Sequence, residues 1–511
     1  MLLHTTIIQC LLQCFLFFFL LSTLILILKS SYRLFFHPLS SIPGPPLAAT
    51  TNLYQVFQYF YRGRWGEGEH QMRLHKKYGP VVRYGPNYVI VDLPHALPQI
   101  YHRKADKADW YRRGFGPVTA FSAKKHADHV VAKKRLAYGY SMTTMKAFED
   151  EVDGRIQEWV AALDKRYCET GEPLRFQEGI TYLAYDVVTE IAFGEPLGFV
   201  NEWRDVRGLI KNFEDSIPTF QAFGRLPLLT KFSNTFGFLR PKPSDKHGFG
   251  LLMAEADRIF EQNQHLHEKK LEKFEKTSLL SRFMRTTAEG GEPMTSDQVK
   301  FESITAMVAG SRTVPEVISP FVLHILKNPN CYSRLIVELS EAENSDLLGE
   351  VAGVVTYETA IEKLPYFKAC LREGFRISSV PFQMPRISPP EGILLEYEGK
   401  STFIPPGVAV SCSARPIARH KDLYGEDANV FRPERWLEAD AETIKSWEKY
   451  NLSWGYGTRI CLGKNIAMME LGKICVQFFR MFEPELLEYR DGDRGDEYED
   501  FMVRLRRRME V

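Results

Sequence analysis

The chain has 511 residues, enough for one large domain or several smaller ones. Its 65 Lys+Arg against 64 Asp+Glu give a net charge of +1, which excludes the broad basic surface that nucleic-acid binding needs. Hydrophobic residues at 44% and aromatics at 13% suit a globular body with an apolar interior.

Residues Ile7 to Leu28 are apolar and uncharged. As a helix this run spans about 33 Å, enough to cross a bilayer core. It is too long for the core of a signal peptide and lacks a basic leader, so residues 1–29 are expected to form a retained anchor. Lys29, Arg33 and His37 follow the span, which places the bulk of the chain on the cytosolic side. Residues 30–47 include Pro43-Gly44-Pro45-Pro46 and read as a stiff linker holding the body, residues 48–511, off the membrane.

Beyond the linker, helical periodicity is clearest over Lys146–Cys168, Phe249–Lys276, Asp297–Lys327, Glu362–Ser378 and Gly463–Phe482. Short strands are expected at Val81–Val91, Ile393–Tyr397, Thr402–Ile404 and Val408–Ser411. The acidic run Asp491–Asp500 reads as a solvated loop. The expected fold is therefore mainly α with small β-sheets, an α+β body.

The eight cysteines form no CxxC pair, so neither a disulfide framework nor a zinc site is expected. Cys461 stands apart, within Trp454-Gly455-Tyr456-Gly457-Thr458-Arg459-Ile460-Cys461-Leu462-Gly463. Glycines on both sides let the backbone pass close to a flat cofactor while amides point at one sulfur. A thiolate so held binds iron. Upstream, Glu373 and Arg376 are three apart in a helical segment and can pair. Glu172 with Arg175 and Glu255 with Arg258 share that spacing, and read as surface pairs. Context singles out Glu373, because Phe431-Arg432-Pro433-Glu434-Arg435-Trp436 and then the cysteine loop follow it.

In that order the three motifs resemble the cytochrome P-450 superfamily of haem-thiolate enzymes, and the resemblance covers essentially the whole chain. Trp454 stands where the family usually has Phe. The resemblance implies the cytochrome P-450 fold preceded by a transmembrane helix, with haem b as cofactor and Cys461 as its axial ligand. It further implies a structural network of Glu373, Arg376 and Arg435, and haem-propionate contacts from Arg459, His129, Lys133 and Arg386, the last after the turn Pro381–Pro385. A thiolate ligand pushes electron density toward iron, and buried arginine matches the charge of the propionates. A dinucleotide fingerprint is absent, since Ile460 occupies the sixth position of the pattern that Gly455 begins. Electrons must come from a partner. The resemblance implies an NADPH-cytochrome P-450 reductase on the endoplasmic reticulum membrane, with Lys133, Lys134 and Arg135 as part of a docking face.

Ala309-Gly310-Ser311-Arg312-Thr313-Val314 resembles the family's oxygen-activating stretch. Gly310 would leave room for dioxygen and Thr313 would donate a hydrogen bond there. Arg312 stands where the family usually has Asp or Glu, and arginine stays protonated, so it cannot relay protons. Pro315 and Pro320 are expected to kink the helix, and Arg312 and Glu316 are four apart, placed to pair. Three readings stay open: oxygen insertion with protons from water and Thr313, rearrangement or dehydration, and a non-enzymatic haem or ligand-binding membrane protein. If a missing relay limits the rate, Arg312→Asp raises turnover. Asp186–Gly194 looks like fungal members that modify hydrophobic secondary metabolites. The expected enzyme is a monooxygenase that oxidises a hydrophobic small molecule. Its pocket draws on Tyr101–Ala123, Ile210–Leu229 and the central helix.

Overall fold

The computed structural model describes residues 2–111, 116–237, 240–268, 278–285, 294–350, 353–378, 383–489 and 501–508. The acidic run Asp491–Asp500, the start of the turn Pro381–Pro385 and the end of the segment Phe249–Lys276 lie outside these residues. The main helices are α1 (Leu2–Ser31), α2 (Leu53–Tyr78), α3 (His126–Leu136), α4 (Glu149–Leu163), α5 (Phe176–Phe193), α6 (Leu209–Arg225) and α7 (Pro227–Phe236). They continue with α8 (Phe249–Glu268), α9 (Ser296–Thr313), α10 (Pro315–Lys327), α11 (Pro329–Asn344), α12 (Pro365–Ser378) and α13 (Lys464–Met481). The mainly helical body with small sheets matches the expected fold class.

The stretch Val81–Val91, expected as one strand, is two, β1 (Val81–Gly85) and β2 (Tyr88–Val91), paired antiparallel. They join β4 (Arg386–Ile387) and β7 (Ala409–Cys412) in a sheet of order β1-β2-β7-β4, in which β2 and β7 run parallel. β5 (Ile393–Tyr397) pairs with β6 (Lys400–Ile404). β3 (Leu174–Arg175), β8 (Phe482–Glu488) and β9 (Met502–Arg507) form the third sheet, in the order β3-β9-β8. One large core gathers the helices, with Trp159, Phe321, Phe367 and Phe479 fully buried, and a second lies under the first sheet.

Among the described residues one helix is long and apolar enough to span a membrane. The candidate span, Leu11–Phe36, has a mean hydropathy of 2.7 and is unburied along its length. The linker expectation is corrected. Leu39 and Ile42 are buried beside Val81 and Val89, and the Arg83 amide donates to the Pro43 carbonyl at 2.8 Å. A Cβ at Gly44 would lie 2.3 Å from the Arg83 carbonyl oxygen. Residues 39–46 are thus packed onto the first sheet, because their apolar side chains have a core to enter. They do not hold the body away from the anchor.

The predicted helix Asp297–Lys327 is two helices. Thr295 starts α9 with a reciprocal cap, in which its hydroxyl accepts from the Gln298 amide and its own amide donates to the Gln298 side chain. The break falls at Val314, since Pro315 has no N–H to offer the Ser311 carbonyl. Pro320 is accommodated inside α10.

Gly310 has a different reason from the one expected. A Cβ there would lie 2.7 Å from Val188 Cγ2 of α5, so the missing side chain permits α5 and α9 to approach. Its bare face turns to a packed helix, while Ala309 and Thr313 hold the exposed side. Adding a methyl at this contact overpacks it, at a cost of about 1–3 kcal/mol. Gly310→Ala therefore destabilises the native protein in denaturant titrations. In a Val188→Ala background the same change becomes neutral or stabilising, because alanine is the better helix former.

Candidate functional site

Cys461 follows a loop that two glycines shape. Gly455 and Gly457 have φ of 80° and 62°, the left-handed region that side chains resist. The Cys461 amide donates to the Trp454 carbonyl at 2.7 Å, which closes the loop. The residue as a whole is exposed, yet enough protein surrounds its thiol that burial raises the thiol pKa. Both hold if the sulfur lies at the floor of a recess. The Gly463 amide and Lys464 act the other way and favour the thiolate. Burial outweighs the amide support expected from the loop, so deprotonation needs a bound cation as well.

Helix α12 steadies this loop. The Trp454 and Phe375 rings sit 4.9 Å apart, and Ser453 Oγ donates to the Phe375 carbonyl at 3.1 Å. Glu373, Arg376 and Arg435, all buried, meet in one network. Arg376 donates from Nη2 to Glu373 Oε1 at 2.7 Å and from Nε to Oε2 at 2.9 Å, and Arg435 Nε donates to Oε1 at 3.1 Å. The Trp436 indole and the Arg432 amide also donate to this carboxylate. Burial alone would raise the Glu373 pKa, but these donors together hold it below the usual carboxylate value. The Glu255 pair differs from the surface reading, since Glu255 is buried and serves both Arg207 and Arg258.

A group of basic residues surrounds the recess. Arg459 donates to the Ala105, Ala123 and Lys124 carbonyls, and burial and then Arg386 lower its pKa to about 10. Arg386 is buried on β4 over the Tyr101 and Tyr111 rings. Lys133 Nζ donates to the Thr458 carbonyl at 2.8 Å, tying α3 to the cysteine loop. His129 is buried, and burial, then Arg459, Lys107 and Lys133, lower its pKa to about 3. His129 is therefore neutral at pH 7. Its Nδ1 is buried with no partner among the described residues. Lys107 belongs to the same group and was not read from the sequence. It is buried, reaches the Phe121 carbonyl and stacks over Tyr111 and Phe121. A lone lysine in a loop carries no motif to single it out.

Arg312 does not lie beside Thr313 as a free cation. Its Nε donates to Glu316 Oε1 at 2.9 Å, and its Nη1 reaches Glu214 of α6 at 3.3 Å. The expected pair with Glu316 is present, and a second tie crosses to a neighbouring helix. Thr313 Oγ1 donates to the Ala309 carbonyl at 2.8 Å.

The cytochrome P-450 family profile matches residues 43–507. Quiannulatic acid synthase of Emericella variicolor is 33% identical over 453 residues, 86% of each chain. The cytochrome P-450 monooxygenase aba1 of Botryotinia fuckeliana is 30% identical over 467 residues, covering 88% of this chain and 87% of its own. The monooxygenase mpaDE of Penicillium brevicompactum is 30% identical over 477 residues, 91% of this chain but 54% of that longer protein. The chain belongs to the cytochrome P-450 family. It is an oxidoreductase of the monooxygenase class, whose cofactor is haem on a cysteine thiolate. Membership implies a redox partner and a small-molecule substrate.

The residues present fit that cofactor. An exposed cysteine, two neighbouring arginines and a buried imidazole nitrogen without a partner among the described residues suit an iron centre with two carboxylates.

Two variants test the charges around this site. Arg312→Asp leaves Glu316, 2% exposed, beside a second carboxylate. The buried carboxylate then loses its guanidinium and gains a like charge, so thermal melting shows lower stability. Glu470, in α13, was also missed by motif reading. It is fully buried, neither carboxyl oxygen has a partner among the described residues, and burial raises its pKa to about 8. The folded state then holds a proton that the unfolded chain has lost, so this residue lowers stability as pH rises from the ordinary carboxylate range to about 8. Glu470→Gln flattens that part of the stability profile and gains most above it, read by urea unfolding across pH.

Proposed function

We propose that this protein hydroxylates or otherwise oxidises a hydrophobic small molecule in secondary metabolism, using O2 and electrons from an NADPH-cytochrome P-450 reductase. One observation carries the reading. Arg386, Lys107 and His129 come from separate chain segments and gather with Arg459 at the cysteine loop, where Lys133 donates to the Thr458 carbonyl three residues before Cys461.

Bound haem would supply the oxygen-activating chemistry. Cys461 would hold its iron, with the Gly463 amide and Lys464 favouring the thiolate. Arg459 and Arg386 would balance its carboxylates, joined by Lys133 and by neutral His129 as a hydrogen-bond donor. The Glu373–Arg376–Arg435 network keeps the cysteine loop at a fixed distance from α12. Thr313 Oγ1 carries the proton nearest the break in the central helix, and can exchange its Ala309 partner for water. Gly310 acts indirectly, by setting the distance between α9 and α5.

The rearrangement and binding-protein readings both rested on Arg312. Its guanidinium is engaged by Glu316 and Glu214, a structural tie, which supports oxygen insertion with protons supplied through water and Thr313. Secondary metabolism is supported by the relatives, one of which is named for making an acid, quiannulatic acid. Lys29, Arg33 and His37 after the apolar span support a single-pass anchor of residues 1–29 in the endoplasmic reticulum membrane, with the body facing the cytosol. Lys134 and Lys125, exposed on and beside α3, support reductase docking there.

The test is product analysis under isotopically labelled O2, in cells that co-express a reductase and supply candidate metabolites. The expected product carries one labelled oxygen and disappears with Cys461→Ser. A Cys461-dependent product without label would replace oxygen insertion with rearrangement, dehydration or desaturation.

A further inference from the structure

The exposed stripe of the central helix has a carboxylate at its far end. Glu302 lies eleven residues before Thr313, three helical turns away on the same face and about 16 Å along the axis. Thr305 and Ala309 fill the stripe between them, and Ala309 and Thr313 are exposed although α9 is packed by α5, α8 and α10.

The two carboxyl oxygens of Glu302 differ. Oε1 accepts from the Ala120 amide at 2.8 Å, so the loop between β2 and α3 holds it in place. Oε2 has no partner among the described residues, and the residue as a whole is 6% exposed. Val118 and Phe121, close to Ala120 in the chain, are exposed apolar side chains. The Tyr140 hydroxyl, from the segment after α3, is influenced by both Glu302 and Cys461, which puts the carboxyl on the side of the recess that holds the sulfur. Among the described residues no cation acts on Glu302. An anchored carboxyl with one free acceptor, at the end of an apolar stripe, has the form of a recognition group.

We propose that Glu302 is a substrate-recognition residue, whose Oε2 accepts a hydrogen bond from a hydroxyl on an otherwise apolar, elongated substrate. That bond sets which carbon lies next to Thr313, so position of oxidation is counted from the hydroxyl. This deepens the function proposed above and rests on that recess taking both haem and substrate.

Burial raises the Glu302 pKa to about 7, so the acceptor is strongest above that value and weakens as pH falls through it. The Ala120 amide opposes that rise, and burial and then Glu302 keep Tyr140 protonated above this range.

The experiment compares 1-decanol with decyl methyl ether, which differ in the donor. Dissociation constants are read from the haem absorbance shift of the full-length, haem-loaded protein. One unit above pH 7 the alcohol is expected to bind about tenfold tighter than the ether, the size of one hydrogen bond to a charged acceptor. The preference shrinks one unit below pH 7. Glu302→Leu abolishes it. Glu302→Gln keeps the Ala120 contact and a neutral acceptor, so a smaller preference persists without pH dependence. If Glu302→Leu fails to take up haem, the lost pH dependence in Glu302→Gln decides. Equal binding of alcohol and ether by the wild type overturns the proposal, as does a wild-type preference kept in Glu302→Leu. Either result with a normal reduced carbon-monoxide spectrum leaves the haem-thiolate reading intact, whereas loss of that spectrum in the wild type would fail the reading itself.

Discussion

The carboxylate of Glu373 is the point on which the catalytic half of the molecule depends. It is wholly buried, and an ion of that kind is tolerable only when every lone pair is met. Two guanidiniums, an indole and a backbone amide meet them. The guanidiniums then spend their other donors on the carbonyls of Ala418, Tyr424, Ala428 and Val430. A stretch with little regular structure is thereby given one conformation. Residues 418–436 are held from within, by charge, where a sheet would hold them by its ladder. The cysteine loop follows after the helix Ala441–Tyr450, and α12 grips it through Phe375. The sulfur's place thus follows from an acid more than eighty residues upstream.

The central helix obeys a different constraint, close approach. Val188 leaves no room for a side chain at 310, so α5 and α9 run in direct contact. One turn later Pro315 removes one backbone hydrogen bond beside Thr313, while Val314 keeps helical dihedrals. The charge at 312 is inverted relative to the family habit, and the surroundings have inverted with it. A carboxylate follows one turn on, and another waits on α6. Local charge balance is kept, while the group able to carry a proton has moved away from position 312.

Much of this was legible in the sequence where chemistry demands a residue type at a spacing. The glycine-framed cysteine, the Glu373–Arg376 spacing and the 22-residue apolar run each express a local rule, and each stands where that rule placed it. The Arg312–Glu316 pair was legible for the same reason. What escaped depends on contacts between distant segments. Lys107 matters through its neighbours on β4 and α3, and Glu302 through the amide of Ala120. Gly310 was read as space for a ligand because a sequence shows a missing side chain and not the Val188 methyl that requires it. The prolines at 43–46 were read as a spacer because their rigidity is visible while the core beneath Leu39 and Ile42 is not.

That packing governs how the anchor meets the body. Arg83 donates to the Arg33 carbonyl just after the apolar span, and Arg33 reaches back to the Thr50 carbonyl. The span leaves the sheet through a clamp with no swivel. For the single-pass anchor proposed above, these two bonds set the direction in which the span leaves the first sheet. A version freed of its anchor for work in solution must begin upstream of Arg33. Beginning at the prolines would remove Leu39 and Ile42 and leave a groove along the sheet.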